Sequence, residues 1–157
     1  MRLTTKGRYA VMAMVDLART SAEHGGPVVL AGIARRQEIS LSYLEQLFSK
    51  LRRGGLVTSV RGPGGGYRLA RPARDMGIAE IVLAVDEPIR AIRCEGEPDD
   101  GCMSDRSRCL THDLWEELGN QIYLFLDSVS LEDVCLRRVL RTGTPPVLEE
   151  RRSAAAR

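Results

Sequence analysis

Four soft metal ligands crowd one stretch of the chain. Cys94, Cys102, Cys109 and His112 follow the spacing Cys-x7-Cys-x6-Cys-x2-His within CEGEPDDGCMSDRSRCLTHDLW. Three thiolates and one imidazole can fill a tetrahedral zinc site or the four ligand places of a two-iron cluster. The same residues could instead close disulfides or run thiol chemistry. Thioredoxin-type chemistry wants Cys-x-x-Cys beside a βαβ pattern, and the sequence has neither. A hydrolytic cysteine needs a base and a pocket, and a loop carrying Glu95, Glu97, Asp99, Asp100 and Asp105 makes a poor apolar cleft. Those acids read as solvated. The tight Cys-x2-Cys pairs of structural zinc are absent, and wide spacing suits a bulkier cluster, but spacing alone leaves zinc and iron–sulphur both open. Cys135, between Val134 and Leu136, reads as a packed core thiol. His24, in a Gly-rich turn, reads as incidental.

The rest of the chain must position these ligands. Its 157 residues suit one domain with an appendage, or two small ones. A 43% hydrophobic and 28% charged composition is that of an ordinary globular protein. No apolar run is long enough to span a bilayer, so no membrane association is expected. The opening MRLTTKGRYAVMAM lacks the apolar segment and cleavage site of a secretory signal, which points to a cytoplasmic protein. Thiols stay reduced there, so disulfides are disfavoured. Net charge is +2, but residues 1–74 hold 13 Lys and Arg against 4 Asp and Glu, a net +9, and residues 75–157 hold 10 against 17, a net −7. A basic N-terminal half points to a polyanion, nucleic acid first; the bland alternative is a solvated basic surface.

Patterning predicts a mainly α chain with one small β-hairpin. A first helix capped by Thr4 or Thr5 runs to about Thr20, with Tyr9, Ala13 and Leu17 at helical spacing. Pro27 to Leu30 reads as a short extended entry and Ala31 to Gln37 as a second helix. A turn at 37–40 leads to a third helix, capped by Ser40 or, in a competing register, by Ser42 with Glu45. Leu44, Leu47, Phe48 and Leu51 form its apolar stripe. Residues 56–61 and 66–69 read as strands joined by a Gly/Pro turn. A fourth helix covers Ile78 to Val85. A long helix starts near Cys109 to Thr111, which would project Cys109 and His112, three apart, from one helix face, and Ser130 with Asp133 caps a shorter one over LEDVCLRRVL. Residues 141–157 read as a poorly ordered tail.

Helix, strand, helix, turn, helix, hairpin is the order of a winged helix-turn-helix. Such a fold lays the N-terminal polar residues of its third helix in the major groove of double-stranded DNA. Here these are Ser42, Tyr43, Glu45 and Gln46, with Ser49 and Lys50 further on. Gln can pair with adenine, and Glu can accept from cytosine. RGPGGGY forms the wing tip, whose glycines permit close backbone approach to the duplex, and Arg61 can enter a narrow minor groove. Arg2, Lys6, Arg8, Arg52 and Arg53 are candidate phosphate contacts. GPGGG lacks the Gly-Lys-Ser/Thr and following helix of a phosphate-cradling loop. With no catalytic base and no pocket in view, an enzyme with a small-molecule substrate is not expected.

The long helix carries Leu114, Trp115, Leu118, Ile122, Phe125 and Leu126 around more than one face. The excess predicts a homodimer, with two recognition helices on a pseudo-palindromic operator.

MRLTTKGRYAV, ISLSYLEQLFSKLRRGGLV, SVRGPGGGYRLA and CLTH before a Leu-Trp helix together resemble the IscR-like iron–sulphur-cluster regulators, a family of dimeric winged-helix transcription factors. The resemblance covers about residues 1–140. It implies a two-iron, two-sulphur (2Fe–2S) cluster on Cys94, Cys102, Cys109 and His112. It also implies DNA reading by Ser40, Ser42, Tyr43, Glu45, Gln46 and Arg61, and dimerisation through the long helix. The implied role is a repressor that matches expression of cluster-assembly genes to cluster supply. The same scaffold could instead sense nitric oxide, redox state or iron, or hold structural zinc. The implied division is 1–75 for DNA binding, 76–93 as connector, 94–112 as cluster loop and 110–140 as dimerisation helices. The two inter-cysteine loops depart from the resemblance: they are longer, and acidic.

Overall fold

The computed structural model describes residues 5–89, 102–103 and 107–139. Arg2, Cys94 and the C-terminal tail lie outside the described residues. Among the described residues, six helices and one hairpin follow in order: α1 (Thr5–His24), α2 (Leu30–Gln37), α3 (Leu41–Arg53), β1 (Val57–Val60), β2 (Gly66–Leu69), α4 (Ile78–Ala84), α5 (His112–Ser128) and α6 (Leu131–Cys135). A short 3-10 turn, Ala73–Asp75, precedes α4.

α1 outruns the expected end at Thr20 because nothing in Ser21-Ala22-Glu23 breaks a helix; Gly25, at φ 69°, does. Ala10, Ala13, Met14 and Leu17 make its buried stripe. α2 ends where Glu38 adopts a left-handed φ of 54°, which turns the chain into α3. Ser40, not Ser42, caps α3: its hydroxyl accepts from the Tyr43 N–H at 3.3 Å. Leu44, Leu47, Phe48 and Leu51 then point into the core, each at most 2% exposed.

β1 and β2 pair antiparallel, with Val57 opposite Leu69 and Val60 opposite Gly66. Val28 pairs with β2 as a one-residue third strand through reciprocal 2.8 Å bonds with Tyr67. The backbones come so close that a Cβ on Gly66, at φ 154°, would sit 2.5 Å from the Val28 carbonyl oxygen. Here the wing glycine serves contact within the protein. Tyr67 packs edge-on against Phe48 at 4.9 Å, fixing the hairpin to α3.

Among the described residues, one core joins the helices and the hairpin. It includes Met76, Ile78, Ile81, Val82 and Val85 around α4, and Leu131 of α6. Backbone bonds stitch the end of α5 to the segment before α4: the Ile78 N–H donates to the Val129 carbonyl at 2.9 Å and the Leu131 N–H to that of Met76 at 2.8 Å. α6 stops at Cys135, short of the ten-residue helix expected, because the chain turns left-handed at Arg137, φ 55°. Its start has a full capping box between Ser130 and Asp133. Cys135 is half-buried against the core, and burial pushes its thiol pKa up.

Candidate metal centre and nucleic-acid interface

Cys102, Cys109 and His112 converge at the head of α5. Their ligand atoms all lie within 4.8 Å of one another, and each residue is half-buried. Both thiols are free of disulfides. The Cys102 Sγ lies 2.8 Å from the His112 Nδ1. Cys109 sits outside the helix, so the expected shared helix face does not form. A turn brings it in instead, with the His112 N–H donating to the Cys109 carbonyl at 3.0 Å. Thr111 stands before α5 without a side-chain cap, its hydroxyl 3.8 Å from the Cys109 Sγ. Two thiols and an imidazole within reach of one centre fit the donor set of zinc or of an iron–sulphur cluster alike. Around them, Arg108 pairs with Asp113 at 3.7 Å, and the His112 Nε2 lies 3.9 Å from a Glu116 carboxylate oxygen.

The candidate DNA residues occupy a second region. Ser40, Ser42, Glu45 and Gln46 are exposed along the start of α3, as is Arg61 after β1. Tyr43 is half-buried, its ring edge-on to Tyr9 at 6.1 Å, so it anchors α3 to α1 as well as facing outward. Arg8 is exposed near the start of α1. Lys50 is engaged within the protein: its ammonium binds Asp86 at 2.7 Å, while Lys6 donates to the Asp86 carbonyl at 3.4 Å. The Lys50 hydrogen bond and charge hold the Asp86 carboxyl below its usual range.

A part-buried network missing from the sequence-based expectations ties α1 to the end of α2. Asp16 on α1 is 7% exposed. It accepts from the Arg36 guanidinium at 2.6 to 3.1 Å, from Gln37 at 2.7 Å and from Thr20 at 3.3 Å. Burial pushes this carboxyl up, but these donors outweigh it and leave its pKa lowered. Only the Arg36-Gln37 pair ending α2 hinted at such a partner, and no local pattern ties it to residue 16.

On α5, Leu114, Trp115, Leu118 and Phe125 are exposed at 62%, 45%, 38% and 53%. Leu126 instead packs against the chain's own core, and Ile122 is half-buried. Among the described residues, no helix is long and apolar enough to cross a membrane.

The Rrf2 family model, described as an iron-dependent transcriptional regulator, matches residues 3–137. The chain belongs to the Rrf2 family. Its fold is a winged helix-turn-helix, and the family is one of transcriptional regulators, not enzymes. A regulator named IscR from Photorhabdus laumondii is 58% identical over 134 residues, which cover 85% of this chain and 79% of that one. Another IscR, from Pectobacterium atrosepticum, is 50% identical across 100% of this chain and 93% of its own. Among solved structures, T. potens IscR matches at TM-score 0.68 and 35% identity, covering 94% and 96% of the two chains. CymR, the global cysteine regulator of B. subtilis, matches at TM-score 0.70 and 32% identity, covering 87% and 98%. This chain is thus similar to IscR through sequence and fold, and is a DNA-binding transcriptional regulator by family.

Proposed function

We propose that the chain is a homodimeric repressor that carries a 2Fe–2S cluster and adjusts transcription of cluster-assembly genes to cluster supply. The convergence of Cys102, Cys109 and His112 within 4.8 Å carries this reading. Likeness to regulators named IscR and the family's iron-dependent description support it. Cys94, Cys102, Cys109 and His112 would hold the cluster. When bound, it supplies a redox-active centre whose potential depends on its imidazole ligand and on hydrogen bonds around it.

The chain's own residues do the rest. His112 is the first residue of α5, so its ligation ties the 94–112 loop to that helix. Leu114, Trp115, Leu118 and Phe125 of α5 meet a second copy, with Ile122 and Leu126 at the margin of that contact. α4 touches both α5 and α3, giving the loop a packed route to the recognition helix. Ser40, Ser42, Tyr43, Glu45 and Gln46 read bases in the major groove, and Arg61 reaches the minor groove. Arg2, Lys6 and Arg8 hold phosphates. Two copies then span the half-sites of a pseudo-palindromic operator. In functional terms, 1–75 reads DNA, 76–93 connects, 94–112 senses and 110–140 dimerises. Loop order biases DNA affinity to the extent that it favours one spacing of the two recognition helices over another.

Footprinting of loaded and stripped protein on sites selected from a random library tests the switch. Different preferred sites or affinities are expected; identical footprints contradict it.

A further inference from the structure

We infer that Glu116 is a positioning residue for the metal centre, orienting His112 so that Nδ1 is its ligating nitrogen. The inference rests on the proposed metal centre but not on which metal fills it. The two ring nitrogens of His112 face different partners. Nδ1 lies 2.8 Å from the Cys102 Sγ, on the side of the thiols. Nε2 points along α5 to the Glu116 carboxylate, 3.9 Å away. The spacing is one helical turn, i to i+4, at which side chains stack on one helix face.

Among the described residues, the other acids near this imidazole have partners of their own. Asp113, the other acid beside the imidazole, is paired with Arg108 at 3.7 Å. The next acid on α5, Glu117, accepts from Gln121 at 2.6 Å. Glu116 keeps a half-exposed side chain, 49% accessible, so a small rotation brings it into hydrogen-bond range of an imidazole that is itself only 13% exposed. A carboxylate accepting the Nε2–H holds that proton in place, leaves the Nδ1 lone pair for the metal and makes it a stronger donor. It also stops the ring from flipping, which would turn Nε2 toward the thiols.

Anaerobic titration of the full-length apo protein with Co(II), read by its thiolate-to-metal absorption, tests this without requiring a cluster. Glu116→Ala should weaken Co(II) binding by about tenfold. Glu116→Gln keeps an acceptor and should recover part of that loss. In a His112→Ala background the Glu116→Ala effect should vanish, because Glu116 acts through the imidazole. An equal loss with and without His112, or no loss at all, overturns the inference. Should the protein prove to hold zinc rather than iron and sulphide, the cobalt cycle still decides the role of Glu116.

Discussion

At the scale of single residues, Asp16 is a buried carboxylate that links two helices. Its carboxylate joins α1 to the end of α2 through Arg36, Gln37 and Thr20. Asp16→Ala leaves Arg36 without its partner and should lower unfolding free energy by about 2 kcal/mol in a urea titration. The folded pKa is depressed, so this stabilisation is complete above the usual aspartate value of 3.8 and disappears as pH falls through the lower folded value. Stability of wild type and Asp16→Ala should therefore converge in acid; a constant gap down to the lowest pH contradicts the assignment. The role proposed for Glu45 concerns specificity instead. Its exposed carboxylate can accept from a cytosine amino group and repels base acceptors. Glu45→Ala should broaden the sites recovered from a randomised operator library, and an unaltered site preference counts against that role.

At the scale of elements, local chemistry was readable and long-range pairing was not. Ser40 and the Ser130–Asp133 box announce α3 and α6, and both caps form. The apolar stripe of α3 was visible from its 3.6-residue period, and every member is buried. Helix ends were less legible: the left-handed turn at Arg137 that stops α6 has no glycine to mark it. Lys50 looked like a base-reading side chain, but Asp86, 36 residues on, takes its ammonium. Such a pair depends on how α3 and the end of α4 pack, which composition and period do not encode. Cys109 was likewise assigned to a helix face, yet reaches its neighbours through a turn. The wing glycines were read as serving the duplex. Gly66 has a second task within the protein, letting β2 lie against Val28. Gly66→Ala should lower stability by about 1–3 kcal/mol through backbone strain and collision. A thermal melt matching wild type would show that the hairpin adapts.

At the scale of the whole molecule, α5 is the element on which the three proposed tasks of metal binding, dimerisation and DNA reading would meet. It begins with His112, leans on α4 and leaves an apolar face outward. Trp115→Glu together with Leu118→Glu should shift sedimentation toward the monomer and weaken operator binding, because each half-site alone contributes only part of the affinity. A double variant that still sediments as a dimer would place the interface elsewhere. The architecture itself was legible, since helix, turn, helix and hairpin follow in an order few other folds share. The metal identity was not, because three thiols and an imidazole serve zinc and iron–sulphur equally. Analysis of protein purified without oxygen addresses this most directly. The account predicts a reddish-brown protein with iron and acid-labile sulphide in equal amounts, both lost in Cys109→Ala. Colourless protein loaded with zinc, binding its operator with undiminished affinity, would contradict it.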